Sequence, residues 1–194
     1  MRLKKDTRKA IIDAAVEIFA QKGYEKATVD EIAAKADIAK GTVFYSFKTK
    51  EDIFFAIIEE GTKAFTEFVE RHAAKGTNAK DRLEKAYAAA FEFFERYNSF
   101  CNVLISELWR IRTRWGVEPT PLISAYRHRL EKIFSDGQKD GEFRTDLNAN
   151  NMGVLIFLLA SISSLSKEFY PDRNTSAEMA NELRLVFLRG LKAE

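Results

Sequence analysis

Thr28 to Lys50 reads TVDEIAAKADIAKGTVFYSFKTK. Thr28 stands before an apolar-periodic run and Glu31 follows three residues later, so the Thr hydroxyl and the Glu carboxylate can satisfy each other's backbone amides as a capping box. The spacing predicts a helix whose inward face is Val29, Ile32, Ala33 and Ala36. Asp37 and Ile38 break the pattern. A second short helix is predicted from about Ala39 to Phe47, with Val43 and Phe47 one turn apart against the first.

That packing leaves Lys40, Gly41, Thr42, Tyr45 and Ser46 outward. The set has the chemistry of a DNA groove: glycine permits close backbone approach, lysine neutralises a phosphate, and hydroxyls bond phosphates or base edges. In KTKED, Thr49 caps a further helix with Asp52 three residues later, and Lys50 projects from its first turn, where a helix N-terminus already favours anions. Two short helices of this kind dock with the second in the major groove. Taken alone, the pattern reads first as a helical hairpin with a solvated polar face.

The longer string KGTVFYSFKTKEDIF (40–54), preceded by AQKGYEKATVDEIA (20–33), resembles the TetR family of bacterial transcription regulators. The likeness covers roughly Thr7 to Ile58. It implies an all-α protein of about nine helices: a three-helix, helix-turn-helix DNA-binding domain over 1–48, and a helical ligand-binding and dimerisation domain over 49–194. On the family's pattern, DNA contacts fall on Thr28, Lys40, Gly41, Thr42, Phe44, Tyr45, Ser46 and Lys50. Asp37 stands at a turn position where the family usually has glycine, Ala39 where a capping hydroxyl is common, and Phe44 and Ser46 where Tyr and His are common. These departures alter the inferred base preference more than the docking.

Composition agrees with a head and a body of different character. Of 194 residues, 46% are hydrophobic, enough for a core without staples. The single cysteine, Cys101, excludes an internal disulfide; without a secretory signal or membrane span, the expected location is the cytoplasm. Residues 1–50 carry eleven Lys/Arg and seven Asp/Glu, whereas the remainder is slightly acidic, as in a chain that meets DNA at one end. Two histidines and one cysteine, with no metal-ligand spacing and no phosphate loop, are too few for a reactive constellation. The chain is therefore read as no enzyme, with no cofactor and no metal.

Along the chain, MRLKK is expected to be a flexible basic arm, helix 1 to run from about Asp6 to Lys22 and stop at Gly23, and helix 4 to continue from Lys50 to about Lys75, with Gly61 softening its middle. Asn78, Thr120 and Thr175 are read as caps of later helices. GEFRTD (141–146) resembles the phrase that precedes the family's two terminal dimerisation helices. Those helices would pair with a second copy through Leu155, Leu158, Ile162, Leu165, Met179, Leu183, Val186 and Phe187.

Aromatic residues at helical spacing usually make a core. The family resemblance adds the expectation of a ligand cavity lined by Phe65, Phe68, Tyr87, Phe91, Phe94, Cys101, Leu104, Leu108, Trp109 and Tyr126. Arg110, Arg112 and Arg114 read first as a solvated face and second as a receptor for an anionic head group. The expected function is a homodimeric repressor on a palindromic, double-stranded operator, released by a small apolar or amphipathic effector. The alternative is a helical ligand-binding or interaction module with weak or conditional DNA binding.

Overall fold

The structure, a computed structural model, describes the backbone of residues 2–115, 120–169 and 175–191; side chains at 2–5, 108–115, 120–123, 162–169, 175–177, 179, 180 and 183 lie outside the description. The described residues form nine helices and no strand: α1 (Arg2–Lys26), α2 (Val29–Ala36), α3 (Lys40–Ser46), α4 (Lys50–Ala73), α5 (Ala79–Arg96), α6 (Asn98–Trp115), α7 (Thr120–Lys139), α8 (Asn150–Phe169) and α9 (Thr175–Gly190). The chain divides into two compact units, one of Met1–Gly61 with Ser99–Gly116, the other of Thr62–Asn98 with Val117–Glu194. The division falls inside α4.

In the first unit the core is built from the helical stripes of α1 to α4. Ile11, Ile12, Ala15, Ile18 and Phe19 of α1 are buried, as are Ile32 and Ala33 of α2, Val43 of α3 and Ile53, Phe54 and Ile57 of α4. Phe19, Tyr24 and Phe54 close a triangle of tilted and edge-on rings with centroids 5.1–6.3 Å apart. Such pairs add about 0.5–1.5 kcal/mol each beyond the area they bury.

One sequence expectation is corrected here. The chain is helical from Arg2, so the residues expected as a flexible arm extend α1. No cap announced that start, yet Arg, Leu and Lys are good helix formers. Gly61 has a packing role that local sequence does not show: a Cβ at that position would penetrate the Phe100 ring, so the glycine lets an aromatic side chain of α6 lie against the α4 backbone. Gly23, by contrast, ends the regular part of α1 with φ 75°, as its position predicts.

The second unit packs α7 on α8, α5 on both, and α9 on α8 and α5. Leu83, Tyr87, Ala90 and Phe94 of α5, Tyr126, Leu130 and Phe134 of α7, and Ile156 and Ala160 of α8 are all buried. Gly153 brings α8 within 2.7 Å of Arg127 Cα, measured from the Cβ it lacks, so these two helices cross backbone to backbone. Among the described residues no helix is long and apolar enough to cross a membrane.

Candidate functional site

Local capping fixes the reading head before tertiary packing adds to it. The Thr28 hydroxyl accepts from the Glu31 amide at 3.2 Å and the Glu31 carboxylate accepts from the Thr28 amide at 3.0 Å. Lys22 lies 2.5 Å from the same carboxylate, and these hydrogen bonds hold it below the usual Glu range. Thr49 and Asp52 repeat the reciprocal pattern at 2.9 and 3.0 Å at the start of α4. Between α2 and α3, Asp37 takes the left-handed conformation (φ 54°, ψ 45°), and the following Ile38 amide donates back to Ala33 at 3.0 Å. An aspartate tolerates that backbone where most residues do not. Ala39 supplies no side-chain cap to α3, as its apolar methyl dictates.

Helix α3 is anchored by Val43, fully buried, and by Phe47 just past its end. Its other face opens outward: Lys40, Gly41, Thr42, Phe44 and Tyr45 are exposed, Tyr45 to 77%, and Ser46 is half-buried. Lys40 lies 2.7 Å from Asp30 and 6.0 Å from the centre of the Phe44 ring. A Cβ at Gly41 would meet nothing within 4 Å. Nothing among the described residues therefore requires a glycine there.

Lys50 is placed differently from a lysine reaching into solvent. Its ammonium donates to the carbonyls of Tyr24 at 2.8 Å, Ala27 at 2.9 Å and Glu25 at 3.3 Å, and sits 4.4 Å above the Tyr24 ring. It ties the first turn of α4 to the chain leaving α1 and neutralises carbonyls that a helix end leaves unsatisfied. These partners lie 23 to 26 residues away in sequence, and local spacing gives no sign of them.

In the second unit the expected ligand-lining aromatics are chiefly in contact with one another. Phe65 lies 4.7–6.0 Å from the rings of Tyr126, Phe93, Phe94 and Phe157. Phe68 lies tilted against His72 at 4.5 Å, and the His72 Nδ1 is 2.8 Å from the Phe68 carbonyl oxygen. Tyr87 packs on Phe91 at 4.6 Å and on Phe187 at 6.0 Å. Phe93, Phe157 and Phe143 were not singled out by sequence, although Phe93 and Phe157 fall on the buried stripes of α5 and α8.

A cavity of about 170 Å³ does occur in this unit, between the second half of α4, the start of α5, and α7. Among the described residues, Tyr126 is the one it shares with the expected lining. Cys101 and Leu104 are buried in α6 of the first unit, and burial pushes the Cys101 thiol up, so it remains protonated. Leu108 and Trp109 lie outside the described side chains, as do Arg110, Arg112 and Arg114.

Helices α8 and α9 each carry a second apolar face. Met152, Ile156, Phe157 and Ala160 of α8 are buried, while Val154, Leu155 and Leu158 on its other side are exposed. On α9, Leu185 and Val186 are exposed, Val186 to 73%, and Phe187 is half-buried. Ile162, Leu165, Met179 and Leu183 lie outside the described side chains. Arg144 of GEFRTD forks onto Asp146 at 2.5 and 2.6 Å, and its amide donates to Leu191 O at 3.1 Å, so this loop fastens the end of α9.

Residues 11–57, the span holding the capped α2, the left-handed Asp37 and the open face of α3, match the model of the tetR family of bacterial regulatory proteins. That span is a domain of the tetR family. Over 157 residues, 81% of each chain, the protein is 29% identical to the fatty acid metabolism regulator protein of Bacillus subtilis (strain 168). Its fold matches that of the fatty acid degradation regulator FadR from Bacillus halodurans with a TM-score of 0.84, at 22% identity and covering 97% of both chains. It also matches FadR from Bacillus subtilis, solved in complex with stearoyl-CoA, with a TM-score of 0.77, 23% identity, and 94% of this chain against 98% of that one.

Within this tetR-family fold, the head residues expected from sequence gather on α3 and the adjoining helix starts. Of the expected lining, Phe65, Phe94 and Tyr126 meet in the second unit. Among the described residues no group of three or more His, Cys, Asp or Glu is arranged to hold a metal.

Proposed function

We propose that this tetR-family chain is a cytoplasmic, ligand-responsive repressor that binds a palindromic operator as a homodimer and leaves it when an amphipathic effector enters the body. The observation that carries the DNA reading is the outward face of α3: a short helix held by two apolar anchors, presenting Lys40, Thr42, Phe44, Tyr45 and the bare backbone of Gly41. A residue whose Cβ meets nothing at home is best explained by a surface that approaches from outside, and a DNA backbone or base edge does so in the major groove. Thr28 and Ser46 flank this face. Lys50 contributes through charge and by fixing the α4 terminus, since its donors are engaged by carbonyls. The functional division we assign is a head over 1–48 and a body over 49–194.

Dimerisation is supported by the exposed apolar faces of α8 and α9, which a second copy related by a two-fold axis would cover. Two heads so related read half-sites about 34 Å apart, one DNA turn, or a multiple of it. For the effector, the similarity to a fatty acid metabolism regulator and to a fold solved with stearoyl-CoA supports an acyl-coenzyme A thioester. Helix α4, unbroken from Lys50 to Ala73, is the element through which the effector's differential binding would reach the head. The protein is read as a regulator and not as an enzyme.

Selection of the purified protein on random duplex DNA, followed by salt titration of the enriched site, tests this reading. A palindrome with affinity falling steeply with salt is expected. Enrichment of no sequence over bulk duplex, with or without acyl-coenzyme A, would leave the alternative of a helical interaction module.

A further inference from the structure

Lys40 is the single charged residue of α3, yet its ammonium does not stand free. Both oxygens of the Asp30 carboxylate hold it, at 2.7 and 2.9 Å, across the first turns of α2 and α3. We propose that Asp30 is a specificity-determining residue of the head: by holding Lys40 it withholds that cation from the phosphates of non-operator DNA, so that α3 is retained by base edges and not by charge alone. The inference rests on the reading of α3 as the DNA-binding face and deepens it.

The fold makes little use of the pair. Capping of α2 is complete without Asp30, since Thr28 and Glu31 satisfy each other's amides. Among the described residues Lys40 is the only partner of the Asp30 carboxylate, and the two side chains are 55% and 65% exposed. An ion pair so open to water contributes little to stability, because solvent screens it and both side chains lose freedom in making it. Asp30 also stands two residues past Thr28, an expected DNA contact, and so brings negative charge toward a polyanion. That lowers affinity, and its benefit lies in discrimination.

Charge and groove contacts separate the two kinds of DNA. Bulk duplex is bound almost wholly through its phosphates, so affinity for it follows the number of available cations. Operator is recognised in addition by short-range contacts to base edges, which Thr42, Tyr45 and the Gly41 backbone offer without net charge. A carboxylate 2.7 Å from the ammonium offsets the field that Lys40 projects toward a phosphate and leaves those neutral contacts untouched. On operator, α3 seats with the pair intact; on other sequences no groove contact replaces the withheld charge. Penalising the wrong partner raises a ratio of affinities without adding a contact to the right one.

A second pair of the same kind serves as the comparison. Lys35 of α2 lies 2.6 Å from Glu17 of α1, with 45% and 49% exposure, and neither residue belongs to α3.

Titration of the purified full-length protein with its selected operator and with a scrambled duplex, over a range of salt, tests the proposal. Asp30→Asn is expected to tighten scrambled-duplex binding about three- to tenfold at low salt and to steepen its salt slope by about one unit, the mark of one further phosphate contact. Operator affinity should change less, so the operator-to-scrambled ratio falls about threefold or more, while the thermal midpoint stays where it was. Adding Lys40→Gln to Asp30→Asn should abolish the gain on scrambled duplex. Glu17→Gln, which removes the same charge away from α3, should leave the ratio unchanged. Equal tightening on both duplexes, an unchanged salt slope, or the same loss of ratio from Glu17→Gln would overturn the assignment. A wild-type protein that prefers no sequence would instead overturn the DNA reading, and this inference with it.

Discussion

Three backbone carbonyls within 2.8–3.3 Å of one ammonium make Lys50 a structural cation as much as a DNA-facing one. Lys50→Ala should therefore lower the stability of the head by about 1–3 kcal/mol, the range for losing hydrogen bonds to a charged group, and also weaken every duplex alike. Thermal melting beside duplex titration checks both; unchanged melting would return Lys50 to a purely phosphate-binding role. Gly41→Ala isolates the opposite case. With nothing within 4 Å of the added methyl, melting should be unchanged or slightly raised, helix propensity favouring Ala by about 1 kcal/mol, while operator affinity falls. At Gly61 the same substitution drives a methyl into the Phe100 ring and should destabilise by about 1–3 kcal/mol, a loss that Phe100→Ala in the same chain partly relieves. These three positions also mark the limit of sequence. Gly41 is legible from its helix face alone, but the roles of Lys50 and Gly61 depend on partners 23 to 39 positions away.

At the scale of elements, what the sequence displays best is local. The capping boxes at Thr28 and Thr49 and the Asn78 cap, with its Asp81 amide at 2.8 Å, join residues three apart, and each is visible in the string. The stripes of α5 and α7 are buried as their period predicts, because helical spacing alone decides which side faces a core. The distinction between a packed aromatic core and an aromatic cavity was not legible, since both place Phe and Tyr at the same spacing. Helix α8 shows what two apolar faces mean: one meets α5 and α7, the other is open at Leu155 and Leu158, the latter 49% exposed. Leu158→Glu should leave the second unit folded and yield monomers with weakened operator binding, read by sedimentation; dimers of wild-type stability would place the interface elsewhere. The Arg144–Asp146 fork gives a pH signature. Arg144 holds the Asp146 carboxyl below its ordinary 3.8, so its contribution is full above that value and is lost as pH falls through the lowered native one. Arg144→Gln should flatten the acid limb of a melting-against-pH curve below about pH 4.

For the whole molecule, the account is a free-energy coupling between two sites on one chain. The proposed function puts DNA on the α3 face and an effector in the body, and α4 is covalently common to both units. Coupling of this kind is reciprocal: whatever factor the effector takes from operator affinity, operator must take from effector affinity, typically about 5–150-fold. The uneven charge of the chain, basic over its first fifty residues, fits association at one end that salt weakens. The measurement that tests this most directly is titration of the protein with an acyl-coenzyme A, alone and saturated with its selected operator. The account predicts weaker effector binding in the presence of operator, by the same factor that the effector weakens DNA binding. Equal affinities in the two titrations would contradict it.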